Sequence, residues 1–269
     1  VGTFERGTSV DRVDEGLWTA RIEPSWTIGD AVHGGCAQCV VVRAAVEASG
    51  HRHPVATSAH FLAPTTPGQA EVVVERLREG RTASTLRAVL LQDGVQKIVA
   101  HVTVGTLEDQ APVYQVASPG LPSPAECMPR PSRLPDGSEV RFLESIDVRI
   151  DPRSAGGPHE GLSGVPEVRG WIRARDDTPP DAAFLVFCVD ALPPTVLELG
   201  GQGWSPTVQL STYVRALPAP GWLAVIVRAS AVGGGWFDEE SEVWDSRQRL
   251  VAQARQVGRY RLLTDGQGG

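Results

Sequence analysis

Ala182-Ala183-Phe184-Leu185-Val186-Phe187-Cys188-Val189-Asp190-Ala191-Leu192 carries a single charge. Pro179-Pro180 precede this run and Pro193-Pro194 follow it, which predicts one helix from about Asp181 to Leu192. A helix that is apolar nearly all round must be buried. A second apolar stretch, from about Gly34 to Ser49, predicts another such helix, with Gly50 placed as its C-terminal cap.

Working outward from these two helices, the chain repeats one order of elements. An alternating strand comes before each: Trp18-Thr19-Ala20-Arg21-Ile22 in the first half and Ile146-Asp147-Val148-Arg149-Ile150 in the second. Several strands follow each helix. The first half offers 55–62, 70–77, 84–92 and 98–104; the second offers 207–215, 223–229, 237–244 and 250–257. Asp93-Gly94 and Asp245-Ser246 read as turns between them. The last strands resemble each other, Ile98-Val99-Ala100-His101 against Leu250-Val251-Ala252-Gln253, as a duplicated unit would. Between the halves, Pro112, Pro119, Pro122, Pro124, Pro129, Pro131 and Pro135 exclude a helix or a central strand. That segment reads as a surface linker. The expected domains are residues 1–106, a linker over 107–140, and 141–269.

An apolar helix followed by antiparallel strands is buried by a curved sheet wrapped around it. The expected class is therefore α+β, with two tandem hotdog units whose sheets pair.

Against this apolar background a few polar residues stand out. Asp190 is the one carboxylate in the apolar run 182–192, and burying a bare charge costs several kcal/mol or forces protonation. It either points to solvent at the helix end or lines a polar pocket at the sheet edge. Alternation in the last strand puts Gln253 and Arg255 on one face and Gln256 on the other, where a buried amide needs partners. Thr207 opens its strand after Trp204-Ser205-Pro206, a place where threonine is commonly a plain strand former.

The composition narrows the function. Hydrophobic residues make up 41% and charged residues 21% of 269, which is ordinary for a globular protein. Net charge is −7 with scattered arginines, which argues against a non-specific grip on nucleic acid. No apolar run approaches the roughly 20 residues of a membrane span. The first residues lack a signal-peptide layout, and four cysteines do not make a disulfide framework, so the cytoplasm is the expected location. Gly-x-Ser-x-Gly is absent, as are glycine-rich phosphate loops. Cys36-x-x-Cys39 beside His33 raises metal or redox chemistry, but small buried cysteines on a core helix account for it more simply, and no metal is expected.

With these residues placed, the chain resembles the acyl-CoA thioesterase II family, whose members are double hotdogs. His33-Gly34-Gly35-Cys36 resembles the family's Phe-Gly-Gly-Gln, and Phe61-Leu62-Ala63-Pro64 its Phe-Leu-Arg-Pro. The stretch from Arg78 to Arg87 resembles its Arg-x-Gly-x-Ser-x-Ser-x-x-Arg strand. Cys36, Ala63 and Gln209 depart from the pattern, standing where the family has Gln, Arg and Asp. The resemblance implies hydrolysis of a fatty acyl-CoA to free acid and CoA without a cofactor. It also implies a catalytic water held by Asp190, Thr207 and Gln256, which match the family's Asp, Thr and Gln.

Gly34 and Gly35 are candidates for the oxyanion site, because a helix N-terminus suits developing negative charge. The alternative for both is that small residues simply let helix and sheet approach. The expected partner is acyl-CoA, and a homo-oligomer is the general expectation for exposed hotdog surfaces. A non-catalytic acyl-CoA or acyl-lipid binding protein is the competing reading. A hydratase is disfavoured, for want of its Asp and His motif.

Overall fold

The computed structural model describes residues 1–134, 137–154, 164–202 and 205–262. The sequence reading of Pro135 and of Trp204 falls outside them.

One antiparallel sheet runs through both halves. Its order in the first half is Asp11–Asp14, Leu17–Ile22, Gly68–Arg78, Ala83–Gln92, Val95–Gly105 and His53–Phe61. It continues with Thr207–Val214, Leu250–Arg259, Trp236–Trp244, Leu223–Arg228, Glu167–Ala174, Ile146–Ile150 and Met128–Pro129. The second sequence mirrors the first. The seam lies between His53–Phe61 and Thr207–Val214, the strand that follows the helix in each half, with Ala59 opposite Leu210 and Thr57 opposite Thr212.

The mirror corrects one expectation. The counterpart of Leu17–Ile22 is Glu167–Ala174, which sequence reading missed, although its side chains alternate between buried and half-buried. Ile146–Ile150 occupies the place of the outer hairpin strand Asp11–Asp14. Both alternate, so periodicity alone did not separate them.

The helices are shorter than expected. The first is Gly34–Glu47, and its cap residue is Ala48 at φ −68°, so Gly50 is not a left-handed cap. The second is Ala182–Cys188, opened by Asp181, whose side chain accepts the Phe184 N–H at 2.6 Å. Asp190 therefore lies past the helix, in a turn where its own N–H reaches the Phe187 carbonyl. The two helices meet where the Cys39 thiol donates to the Ala183 carbonyl at 3.1 Å, and Arg43 spans them to Asp181 at 2.9 Å. Val40, Val41 and Val42 from one helix and Leu185, Val186 and Phe187 from the other share a single core. No helix of the described residues is long and apolar enough to cross a membrane.

The proline-rich segment is draped over the outer face of the second half's sheet. Leu121 packs with Trp171 and Leu250 against Ala224, Ile226 and Trp244, and Trp171 Nε1 donates to the Pro122 carbonyl at 2.8 Å. Asp109 pairs with Arg249 and Arg247. Its far end is not a surface feature: Arg130 is buried.

Candidate active site

The polar residues at odds with the core gather where the two halves meet. Asp190 turns its carboxyl toward the start of the other half's helix, and Oδ2 accepts the Gly35 N–H at 2.7 Å. Gly34 and Gly35 permit this approach. A Cβ on Gly34 would stand 3.1 Å from Oδ2, and one on Gly35 would stand 3.1 Å from the Phe187 carbonyl and 3.2 Å from Asp190 Cβ. The close-approach role of these glycines is thus visible. In this structure the Gly35 N–H serves the carboxyl, which leaves Gly34 as the oxyanion candidate.

The Asp190 side chain is 10% exposed. Burial pushes its pKa up to about 7, the Gly35 N–H pulls it down, the nearby Glu239 raises it and Arg130 lowers it. Arg130, from the end of the linker, donates to the Ala191 carbonyl at 2.5 Å and lies over the Phe142 ring. Its own pKa falls to about 10 through burial, with Asp190 opposing. His33 Nε2 sits 3.0 Å from the Asp190 backbone carbonyl and 3.8 Å from Oδ2. Burial, then the Arg130 charge, lower the His33 pKa to about 3, so the ring is neutral and donates to the carbonyl rather than forming an ion pair.

The other pair comes from adjacent strands. Thr207 Oγ1 donates to Gln256 Oε1 at 2.9 Å. Gln256 is 6% exposed, on the inner face with Ala252 and Ala254. Strict alternation would place Thr207 on the outer face with Gln209 and Ser211. The register prevents this: Thr207 pairs with Gly258 and Gln209 with Val257, so Val208 is an extra residue. This β-bulge re-aims Thr207 inward. Gln209 stays outside, bonded to Ser211 and Ser58, away from Gln256.

Glu239 stands between the two groups. It lies opposite Gln256 in the sheet, accepts a hydrogen bond from Gln256 Nε2, and accepts from the Thr195 N–H and hydroxyl at 2.6 and 2.8 Å. The structure therefore joins Asp190 to Gly35 and Thr207 to Gln256, and Glu239 bridges the pairs by charge on one side and hydrogen bonding on the other. Arg130 and Glu239 were missed in the sequence, and His33 was weighed there only as a possible metal neighbour. Glu239 was legible in principle, because it shares the inward alternation of Phe237, Ser241 and Val243.

Cys36, Cys39 and Cys188 are fully buried, and burial raises each thiol above its ordinary pKa, as core residues require. A cavity of about 180 Å³ lined by Arg12, Trp18, Glu47 and Arg76, and an open cleft of about 510 Å³ lined by Leu121, Glu126 and Arg153, lie elsewhere and serve none of these residues.

Comparison with known proteins agrees with this architecture. Residues 22–106 match the model of the acyl-CoA thioesterase N-terminal domain, and residues 124–260 that of the acyl-CoA thioesterase C-terminal domain. An uncharacterized protein of Mycobacterium tuberculosis is 32% identical, covering 93% of this chain and 92% of its own. The crystal structure of a putative thioesterase II from Thermobifida fusca superposes with a TM-score of 0.89 at 35% identity, covering 97% of this chain and 98% of that one. An acyl-CoA thioesterase II of Mycobacterium marinum shares the fold, with a TM-score of 0.74 at 21% identity over 98% of this chain and 99% of that one. This chain belongs to the acyl-CoA thioesterase family, with its N-terminal domain matched over 22–106 and its C-terminal domain over 124–260 on a double-hotdog fold.

Proposed function

We propose that this protein hydrolyses a fatty acyl-CoA thioester to the free acid and CoA, with a water activated by Asp190 and oriented by Thr207 and Gln256. The observation that carries the reading is the Asp190 carboxyl itself, nearly buried, seated on the other half's helix N-terminus and tuned to about 7. A carboxylate in that range is a competent base at neutral pH.

In the proposed reaction the water oxygen attacks the thioester carbonyl carbon while Asp190 takes its proton. The electron pair of the carbonyl moves to oxygen, where the positive end of the Gly34–Glu47 helix, with the Gly34 N–H as donor, meets the negative charge. The tetrahedral intermediate collapses, the C–S bond breaks, and the CoA sulfur leaves with the proton that Asp190 held. Thr207 and Gln256 can both donate and accept, which suits a water held in one pose. No acyl-enzyme is required, and the buried cysteines have no part in it. All four cysteines are free thiols, which suits a reducing cytoplasm.

The test is thiol release from acyl-CoAs of short to long chain, comparing wild type with Asp190→Asn. Release by wild type and a loss of about two to four orders of magnitude in the variant support the reading. Tight acyl-CoA binding with no release by wild type would make this a binding protein. Equal rates in both would remove Asp190 from the chemistry.

A further inference from the structure

Glu239 has no part in the reaction as written, yet it is an acid only 2% exposed in the middle of the site. Its hydrogen bonds are all of one kind. One oxygen accepts from both donors of Thr195, and the other accepts from the Gln256 amine. Burial pushes the Glu239 pKa up, while the Thr195 and Gln256 donors favour the anion that these contacts fit; an ionised carboxylate can only accept, so it dictates which end of the Gln256 amide faces it. The amine must point to Glu239, and the carbonyl is then left for the Thr207 hydroxyl, as observed at 2.9 Å.

We propose that Glu239 is a positioning residue for the hydrolysis: its carboxylate locks the Gln256 amide in one orientation and so decides which donor and acceptor atoms the Thr207–Gln256 pair offers the hydrolytic water. The proposal rests on the thioesterase reading above. With Glu239 in place, Gln256 has one free N–H and a spare lone pair on its carbonyl, and the Thr207 hydroxyl is an acceptor. With a neutral amide at 239, Thr195 still claims the carbonyl oxygen, so an amine faces Gln256. Gln256 must then turn over, and the pattern presented to the water inverts.

The charge of Glu239 has a second consequence through its neighbours. Asp190 faces it from the turn after the second helix, Asp238 adjoins it on its own strand, and Arg130 and His33 act on Asp190 itself. Removing the charge lowers the Asp190 pKa.

Glu239→Gln and Glu239→Asp decide the matter. For Glu239→Gln the expected result is a fall in kcat of about tenfold or more with KM within about threefold, the mark of an interaction made in the transition state. The acid limb of its pH profile should also move to lower pH. Glu239→Asp keeps the charge but retracts it by one methylene, so kcat falls while the acid limb stays in place. If Glu239→Gln does not fold, a fall in kcat for Glu239→Asp with an unmoved limb supports the proposal, and wild-type kcat overturns it. Wild-type kcat and pH profile in Glu239→Gln overturn it directly. A readout independent of turnover is the side-chain amide resonance of Gln256 in ¹⁵N-labelled protein. A proton held by the carboxylate, lost in the Glu239 variant, supports the proposal; identical resonances in both proteins overturn it. If wild type releases thiol from no acyl-CoA, the thioesterase reading fails, and this resonance still decides whether Glu239 holds Gln256.

Discussion

A carboxyl buried against a helix N-terminus is pulled two ways. Burial favours the neutral acid, and the Gly35 N–H favours the anion. Burial wins, and the pKa stands near 7 rather than 3.8. Below about pH 3.8 Asp190 is neutral in both the folded and unfolded chain. Between that value and about 7 the unfolded chain has released its proton and the folded one has not, so stability falls as pH rises. Above about 7 the loss is complete and is on the order of a few kcal/mol, since each pKa unit is about 1.4 kcal/mol. Asp190→Asn removes this titration. Its melting temperature is expected to exceed that of wild type at pH 8 and to converge with it near pH 4, by thermal denaturation at both values. A wild-type advantage at pH 8 would contradict it. On the proposed mechanism the acid limb of wild-type hydrolysis is expected near pH 7, because the base would be lost below it. Gly35→Ala tests the seat of the carboxyl. Its Cβ would crowd the Phe187 carbonyl, His33 and Asp190 at 3.1–3.2 Å, and the nearest atoms include backbone that would have to shift to admit it. Thiol release is expected to fall about tenfold or more, since small misplacements of a catalytic group are costly. An unchanged rate would show that the contact with the helix start is dispensable.

Among the elements, the legible ones were those whose pattern is local. The strands expected after the two helices all lie within a few residues of their expected bounds, because alternation and turn residues such as Asp93-Gly94, both at positive φ, are short-range signals. What escaped depends on partners distant in sequence. The second helix stops at Cys188 although its apolar run continues to Leu192: Val189, Ala191 and Leu192 are buried without being helical. Asp190 and Gln256 were conspicuous as polar residues in apolar runs. Thr207 faces inward only through a bulge that no single-strand pattern discloses, and Arg130 is pulled inward from a segment whose prolines signal surface. Gly258 shows how closely this corner is built. It lies opposite Thr207, and a Cβ there would stand 2.4 Å from the Phe237 ring. Gly258→Ala is expected to cost about 1–3 kcal/mol, as overpacking does, and to depress hydrolysis by displacing Thr207 and Gln256. Chemical denaturation and thiol release measure the two effects. A variant as stable and active as wild type would mean that Phe237 moves aside freely.

At the scale of the whole molecule, duplication was visible in the sequence, but the way the copies depend on each other was not. The sheet is continuous across the seam, so separating the halves would expose the long edges of His53–Phe61 and Thr207–Val214 at once. Unpaired edges of this kind invite aggregation. The core is shared too: Phe4 and Trp26 from the first half meet Phe184 and Phe187 from the second, edge to face or tilted. The candidate site is divided in the same way, with Asp190 on one side and the Gly35 N–H that seats it on the other. Residues 1–106 and 107–269, cut ahead of the linker that covers the second half's outer face, should therefore fail to fold alone and should restore thiol release when produced together. Calorimetry on each piece checks the first part and an activity assay on the co-produced pair checks the second. A cooperative transition in either isolated piece, near the melting temperature of the intact chain, would mean that each half carries its own stability. The seam would then be a contact between finished domains rather than a part of their common core.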